Sequence, residues 1–346
     1  MSDDEVQTLV IDNGSLYTKV GFAGDDAPTG LFETVISGGT VGDDSRGRGV
    51  RPIQEGQIVG WDGIEEIWRH AFENELRVDP TQCAVMITQS PLNSESHVEK
   101  ITQIMFETFS VPALQIIDKP TLCMYASGRT EGLSVYSGDG LTVTAPIYQG
   151  YAISHACNSS IVAGGMLTAY LQSVLGGGLP NDYCRDMKEK LGSVSGSDYY
   201  EGYGNNTQQY ETPDGNVVAV DDEELWRMTE AMFSPAMLGM EDGSVTECMV
   251  NSIGKAGNPI AKVMYENVVV AGGNTMFPGF RDRIHSDRIS MAPSTASVKV
   301  VRSIERYQSW IDGSILGSLE ANCCNLMSTK LWCHEVYIMT TFPCMG

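Results

Sequence analysis

Thr8-Leu9-Val10-Ile11-Asp12-Asn13-Gly14-Ser15-Leu16-Tyr17-Thr18-Lys19-Val20-Gly21-Phe22-Ala23 is the stretch on which the fold turns. Thr8 to Asp12 reads as a strand because apolar and β-branched residues fit a buried pleat. Asn13-Gly14 is a hairpin-turn signal, and Lys19 to Ala23 reads as the returning strand. A tight glycine turn points backbone N–H groups outward, where they can bind an anion. Here Asp12 stands at one foot of that turn and Lys19 beyond the other. A second unit of this kind follows: Gly132 to Tyr136 and Leu141 to Pro146 flank Ser137-Gly138-Asp139-Gly140. Two strand, acidic-glycine turn, strand units suggest an internal duplication.

Working outward, a helix is expected from Asp62 to about Leu76, with Ile64, Ile67, Trp68 and Phe72 on one face and a capping box from Asp62 and Glu65. Ala84 to Thr88 is a short apolar strand. Ser96 and Glu99 are expected to cap a helix that carries Val98, Ile101, Ile104 and Met105. Val268 to Ala271 is a buried strand running into Gly272-Gly273. Asp221 to Glu224 reads as the acidic first turn of a helix. Residues 195–216 and 37–49 read as polar, turn-rich loops. Strands alternate with helices, so the fold class is α/β.

The 346 residues suffice for two domains, and 42% apolar with 19% charged residues is a globular composition. The apolar runs are too short to span a bilayer. Met1-Ser2-Asp3-Asp4-Glu5 lacks the basic-then-apolar pattern of a signal peptide, so the expected setting is intracellular. A formal charge of −22 disfavours nucleic acid and anionic membranes as partners and leaves a basic protein partner open. Nine scattered cysteines without C-x-x-C, and five histidines without ligand spacing, imply reduced thiols and no zinc site.

Two facing glycine turns can clamp a polyphosphate, and an acidic residue beside each can hold a metal through water. Asp12 to Ser15 with Lys19 is one candidate turn. Gly138-Asp139-Gly140 is another, and Gly272-Gly273-Asn274-Thr275 is a third, suited to close approach by a flat ring or a phosphate. The surrounding sequence is distinctive: Ile11 to Ser15 (IDNGS), Gly21 to Pro28 (GFAGDDAP), Asn74 to Val78 (NELRV), Thr102 to Phe109 (TQIMFETF), Tyr125 to Thr130 (YASGRT), Ser137 to Gly140 (SGDG) and Pro146 to Tyr148 (PIY). Lys188 to Leu191 (KEKL), Pro213 to Gly215 (PDG), Leu238 to Glu241 (LGME), Ala292 to Thr295 (APST) and Gly313 to Leu316 (GSIL) follow in the second half. In content and order these stretches closely resemble the actin family, up to about residue 318.

The resemblance implies an actin-like ATPase fold: two similar α/β domains around a nucleotide cleft, with ATP or ADP and a divalent cation such as Mg2+. It implies four subdomains: residues 1–31, 52–126 and 308–346; a shortened second at 32–51; 127–162 with 241–307; and 163–240. Carried over by position, Asp12, Gly14, Ser15, Leu16 and Lys19 match the first phosphate loop, and Asp139 and Gly140 the second. Arg185, Lys188 and Glu189 match adenine and ribose contacts. Gly272, Gly273, Thr275 and Met276 match the adenosine loop. The metal would be held through water by Asp12 and Asp139.

Departures fall at the chemically important positions. Lys119 occupies the place of the glutamine that positions the attacking water. Tyr136 replaces an aspartate of the metal's water shell, Val143 a histidine near the γ-phosphate, and Leu16 a glycine of the first loop. The adenine-contacting lysine near Glu305-Arg306 is absent. The segment between Val35 and Val50 is a short, glycine-rich replacement for the family's inter-subunit loop. The tail from Cys323 to Gly346 is unlike the family and apolar. Water attack on a γ-phosphate needs an oriented nucleophile and an in-line metal. The expectation is therefore an actin-like cytoskeletal or structural subunit with little or no ATP hydrolysis and less dependence on magnesium. Its expected setting is the cytoplasm, in a hetero-assembly with actin or a larger cytoskeletal or motor complex. The alternative is a divergent filament-forming ATPase. A sugar kinase of the same superfold fits least, since the chain follows actin rather than kinase motifs.

Overall fold

The computed structural model describes residues 7–43, 49–196, 206–291, 300–302, 307–319 and 327–328. The chain divides into two compact units, residues 1–122 with 309–346, and residues 123–308. It passes from the first to the second within the Lys119–Ala126 helix and returns at the start of the Gln308–Gly317 helix.

The first unit is built on a six-stranded sheet. Its order is Met327–Ser328, Ala113–Asp118, Ala84–Gln89, Thr8–Asn13, Tyr17–Phe22, Gly30–Glu33. Thr8–Asn13 runs antiparallel to Tyr17–Phe22 and parallel to Ala84–Gln89, which is parallel to Ala113–Asp118. Leu9, Val10 and Ile11 are all fully buried. A continuous apolar run of that kind is what a central strand covered on both faces requires. One face packs on Ile64, Ile67 and Trp68 of the Trp61–His70 helix and on Ile101 and Met105. The other holds Trp310, whose indole N–H donates to the Val10 carbonyl at 3.1 Å.

The second unit repeats the plan. Its sheet order is Tyr151–Ala152, Thr142–Tyr148, Gly132–Ser137, Val268–Ala271, Val300–Arg302, with Asn158–Ser160 also on Thr142–Tyr148. Gly132–Ser137 is antiparallel to Thr142–Tyr148 and parallel to Val268–Ala271, which is parallel to Val300–Arg302. Each sheet thus joins an antiparallel hairpin to parallel strands, with the acidic-glycine turn at the same place in both. The core gathers Leu133, Val135, Leu167, Met187, Met228, Val268 and Val270.

Several local expectations are corrected. Asn13 is the last residue of its strand and pairs with Thr18, so the connection is the three-residue loop Gly14–Leu16, closed by the Gly14 N–H on the Tyr17 carbonyl at 3.0 Å. Asp62 and Glu65 form no capping box: the helix starts at Trp61 after Gly60, and Glu65 pairs with Arg69. Ser94, not Ser96, precedes the Glu95–Gln103 helix, and its hydroxyl bonds His97 Nδ1 and Ser96. Both expected helices end in wider π turns, Ala71–Leu76 and Ile104–Thr108. A capping box that the sequence reading passed over joins Ser244 and Glu247. In the expected loop 195–216, Thr207–Glu211 is a strand paired with Val217–Asp221, pinned by Tyr210, which donates its hydroxyl to Asp186. Tyr199, Tyr200 and Tyr203 lie outside the described residues. In the expected loop 37–49, Gly38 and Gly39 turn the Ile36–Ser37 and Thr40–Val41 ribbon, and residues 44–48 lie outside the described residues. So do Ala292 to Thr295, Glu305, Arg306 and the tail from Cys323, apart from Met327–Ser328 on Ala113–Leu114.

Candidate functional site

In the first unit, the parallel pairing of Thr8–Asn13 with Ala84–Gln89 sets Asp12 beside Thr88, and the hairpin sets it opposite Lys19. The Thr88 hydroxyl donates to Asp12 Oδ1 at 2.6 Å, and Lys19 Nζ donates to Asp12 Oδ2 at 2.9 Å. Lys119 joins them from the end of the Ala113–Asp118 strand, where it opens the next helix. Its Nζ lies 3.0 Å from Asp12 Oδ1 and donates to the Asn13 carbonyl at 2.5 Å. Lys119 is 9% exposed and Asp12 1%. The ammonium therefore turns inward, away from solvent, onto the carboxylate. Burial alone would raise the Asp12 pKa. The Lys119 and Lys19 charges, with the Thr88 and Lys19 hydrogen bonds, outweigh it and hold the carboxyl far below the usual range.

The loop above this cluster is fixed from several sides. A Cβ on Gly14 would meet the Tyr17 carbonyl oxygen at 2.6 Å and Lys19 Nζ at 3.3 Å, so only glycine fits over the ammonium. The Ser15 hydroxyl accepts from the Gly56 N–H at 3.3 Å, and the Leu16 carbonyl accepts from the Thr34 N–H at 2.8 Å. Asn13 Oδ1 accepts from the Trp68 indole at 3.2 Å.

In the second unit three turns converge. The Gly138 N–H donates to the Leu141 carbonyl at 3.0 Å and closes the first turn. Asn274, in the Gly273–Met276 turn, donates to Ser137 Oγ at 3.0 Å and to the Gly138 carbonyl at 2.6 Å. Gly164 and Gly165, which open the Gly164–Val174 helix, donate to the Gly138 and Asp139 carbonyls at 3.0 and 2.8 Å. Lys188 reaches the same point, donating to the Gly164 carbonyl at 2.8 Å. Its burial lowers its pKa, opposed by the Asp139 and Glu189 carboxylates. Gly272 has φ +97°, and a Cβ there would lie 2.3 Å from the Ser137 carbonyl oxygen. Thr275 caps that turn by donating to the Gly272 carbonyl at 2.8 Å.

The structure thus brings Asp12, Gly14, Ser15, Leu16, Lys19 and Lys119 together in one unit. It brings Asp139, Gly140, Lys188, Gly272, Gly273, Thr275 and Met276 together in the other. Arg185 is buried one helical turn before Lys188 and pairs with Asp182 at 3.1 Å, while Glu189 is exposed. Tyr136 and Val143 pair across the hairpin. The Tyr136 ring lies over Gly138, 3.4 Å from where a Cβ would be, and Val143 is buried. Sequence reasoning missed Thr88, Gly164 and Gly165; it placed Asn274 in the third turn without foreseeing that its side chain ties that turn to Ser137 and Gly138. A signal for the glycines was present: Val162-Ala163-Gly164-Gly165 and Val270-Ala271-Gly272-Gly273 repeat one motif.

Most of the acceptor sites that a hydrated divalent metal would use on Asp12 are already taken in the first unit. Asp12 Oδ1 already takes a hydroxyl and an ammonium, Oδ2 takes a second ammonium, and the Asn13 carbonyl and side-chain oxygen are both engaged. Among the described residues no helix is long and apolar enough to cross a membrane. Compared with protein-family models, the chain matches the one described as Actin, over residues 3–183 and 180–330.

Proposed function

The chain belongs to the actin family, and from that premise we propose that it is a structural subunit that binds adenine nucleotide and hydrolyses it little or not at all. In the first unit the Gly14–Leu16 turn with Lys19, and in the second the Gly138–Gly140 turn, each offer donors suited to phosphate oxygens. The adenosine takes Arg185, Lys188, Glu189, Gly272, Gly273, Thr275 and Met276. Each of these turns is closed by the hydrogen bonds described above before any ligand is bound, and donors already held in place lower the cost of binding.

The observation that carries the second half is the direction of Lys119. Orienting a water for in-line attack takes a group that both accepts and donates. An ammonium has no acceptor, and this one is committed to Asp12 and the Asn13 carbonyl. Tyr136 and Val143 supply neither carboxylate nor imidazole. What survives is recognition without the machinery that activates water.

A subunit of this kind works in an assembly. The short ribbon at Ile36–Val41 leaves little to reach a following copy, and the formal charge of −22 suits a basic protein partner. We place it in the cytoplasm, on the cytoskeleton, with actin or a larger motor complex. The test is single-turnover phosphate release from protein loaded with ATP in magnesium. The expected result is no release above the solution background over the lifetime of the complex. Rapid stoichiometric release would contradict the loss of hydrolysis and favour the ATPase alternative.

A further inference from the structure

We propose that the Lys119 ammonium is a built-in counter-cation that takes the place of the divalent metal, so that this chain holds its nucleotide without metal. The inference rests on the nucleotide reading above and concerns the first unit alone.

One buried carboxylate lies between two ammoniums. Asp12 contributes −1 and Lys19 and Lys119 contribute +2, so the cluster carries a formal +1 before any ligand binds. A hydrated dication needs protein acceptors for the hydrogens of its waters. Here Asp12 Oδ1 has two donors, and the Asn13 carbonyl and Asn13 Oδ1 have one each. The same +1 that repels a dication attracts a phosphate. The Lys19 ammonium lies directly under the Gly14 turn, 3.3 Å from the position of a Cβ, so turn and charge present one anion-binding surface. Lysine binds phosphate as a point charge and needs no particular angle. Lys119 is also held in advance, at 9% exposure and by two contacts, so its charge is placed at no further ordering cost.

The experiment follows dissociation of a fluorescent etheno-ATP from the full chain, chased with unlabelled ATP, in magnesium and in excess EDTA. For the parent protein the two rates should agree within about twofold, against the ~1.4 kcal/mol that a tenfold change represents. Lys119→Gln and Lys119→Met remove the charge, and in both EDTA should speed release by about tenfold or more. The parent arm needs no substitution, so a variant that misfolds leaves the central comparison intact. A parent that loses nucleotide about tenfold faster in EDTA overturns the proposal, as do folded Lys119 variants that remain indifferent to EDTA. Failure of the probe to bind in either medium refutes the nucleotide reading itself, and is distinct from rapid loss in EDTA alone.

Discussion

Asp12→Asn removes the one negative charge between Lys19 and Lys119 while keeping its shape. Both ammoniums then lie within about 3 Å of a neutral amide whose Nδ2 cannot accept. Breaking a buried ion pair by removing one partner costs about 3–5 kcal/mol, because an uncompensated charge stays in the interior. With a urea slope of about 2–3 kcal/mol per molar, the unfolding midpoint of the first unit should fall by roughly 1–2.5 M. The nucleotide-free protein, followed by tryptophan fluorescence in a Trp226→Phe background, reads that unit, because Trp226 is the tryptophan of the second unit. A double-mutant cycle isolates the pair: Asp12→Asn with Lys119→Met should cost less than the sum of the singles by about 1–3 kcal/mol. The pH dependence has a definite sign. The folded pKa of Asp12 is depressed, so its contribution is fully present above the unfolded value of about 3.9 and is lost as pH falls below it toward the folded value. The gap between parent and Asp12→Asn should therefore hold across neutral pH and close only in acid. A cost for Asp12→Asn under about 1 kcal/mol, or a cycle additive within about 0.5 kcal/mol, would refute the reasoning.

Three further outcomes follow from the second unit and from the short ribbon. Gly272→Ala forces a Cβ to 2.3 Å from the Ser137 carbonyl oxygen at φ +97°, and should cost at least ~2 kcal/mol in thermal or urea unfolding. Asn274→Ala removes the two bonds that tie the Gly273–Met276 turn to Ser137 and Gly138. It should cost about 1–3 kcal/mol and speed nucleotide release, whereas an unchanged release rate would show that the two turns hold position without it. Under filament-forming salt the protein alone should stay in the supernatant on high-speed centrifugation, since a repeating filament needs every interface to be favourable. Regular filaments by electron microscopy would contradict that.

Much of the fold was legible because its signals are local. Leu9 to Ile11 and Val268 to Ala271 are continuous apolar runs that only a covered strand explains, and the glycines at 14 and 272 mark close approaches that the structure contains. The Thr207–Glu211 strand was hidden because only Tyr210 of its five residues is buried, so a two-stranded ribbon left almost no alternation to read. Cap positions slipped because helix starts are set by packing. Trp61 opens its helix without any side-chain cap. The identity of Lys119 was visible, but its direction was not. Which way a long cation turns depends on a carboxylate 107 positions earlier, brought beside it by parallel strand order. Thr88 and the role of the Asn274 side chain were missed for the same reason, since their partners are set by register across strands and turns.

The claim that this chain recognises adenine nucleotide but does not consume it is tested most directly by the content of the protein itself. Protein incubated with excess ATP, freed of unbound ligand, held through several nucleotide lifetimes of a conventional filament ATPase and then denatured should release its nucleotide into the supernatant for chromatography. The account predicts about one adenine nucleotide per chain, still predominantly as ATP, as a single site without water activation requires. An empty supernatant would contradict the binding, and a supernatant of ADP with matching free phosphate would contradict the loss of hydrolysis.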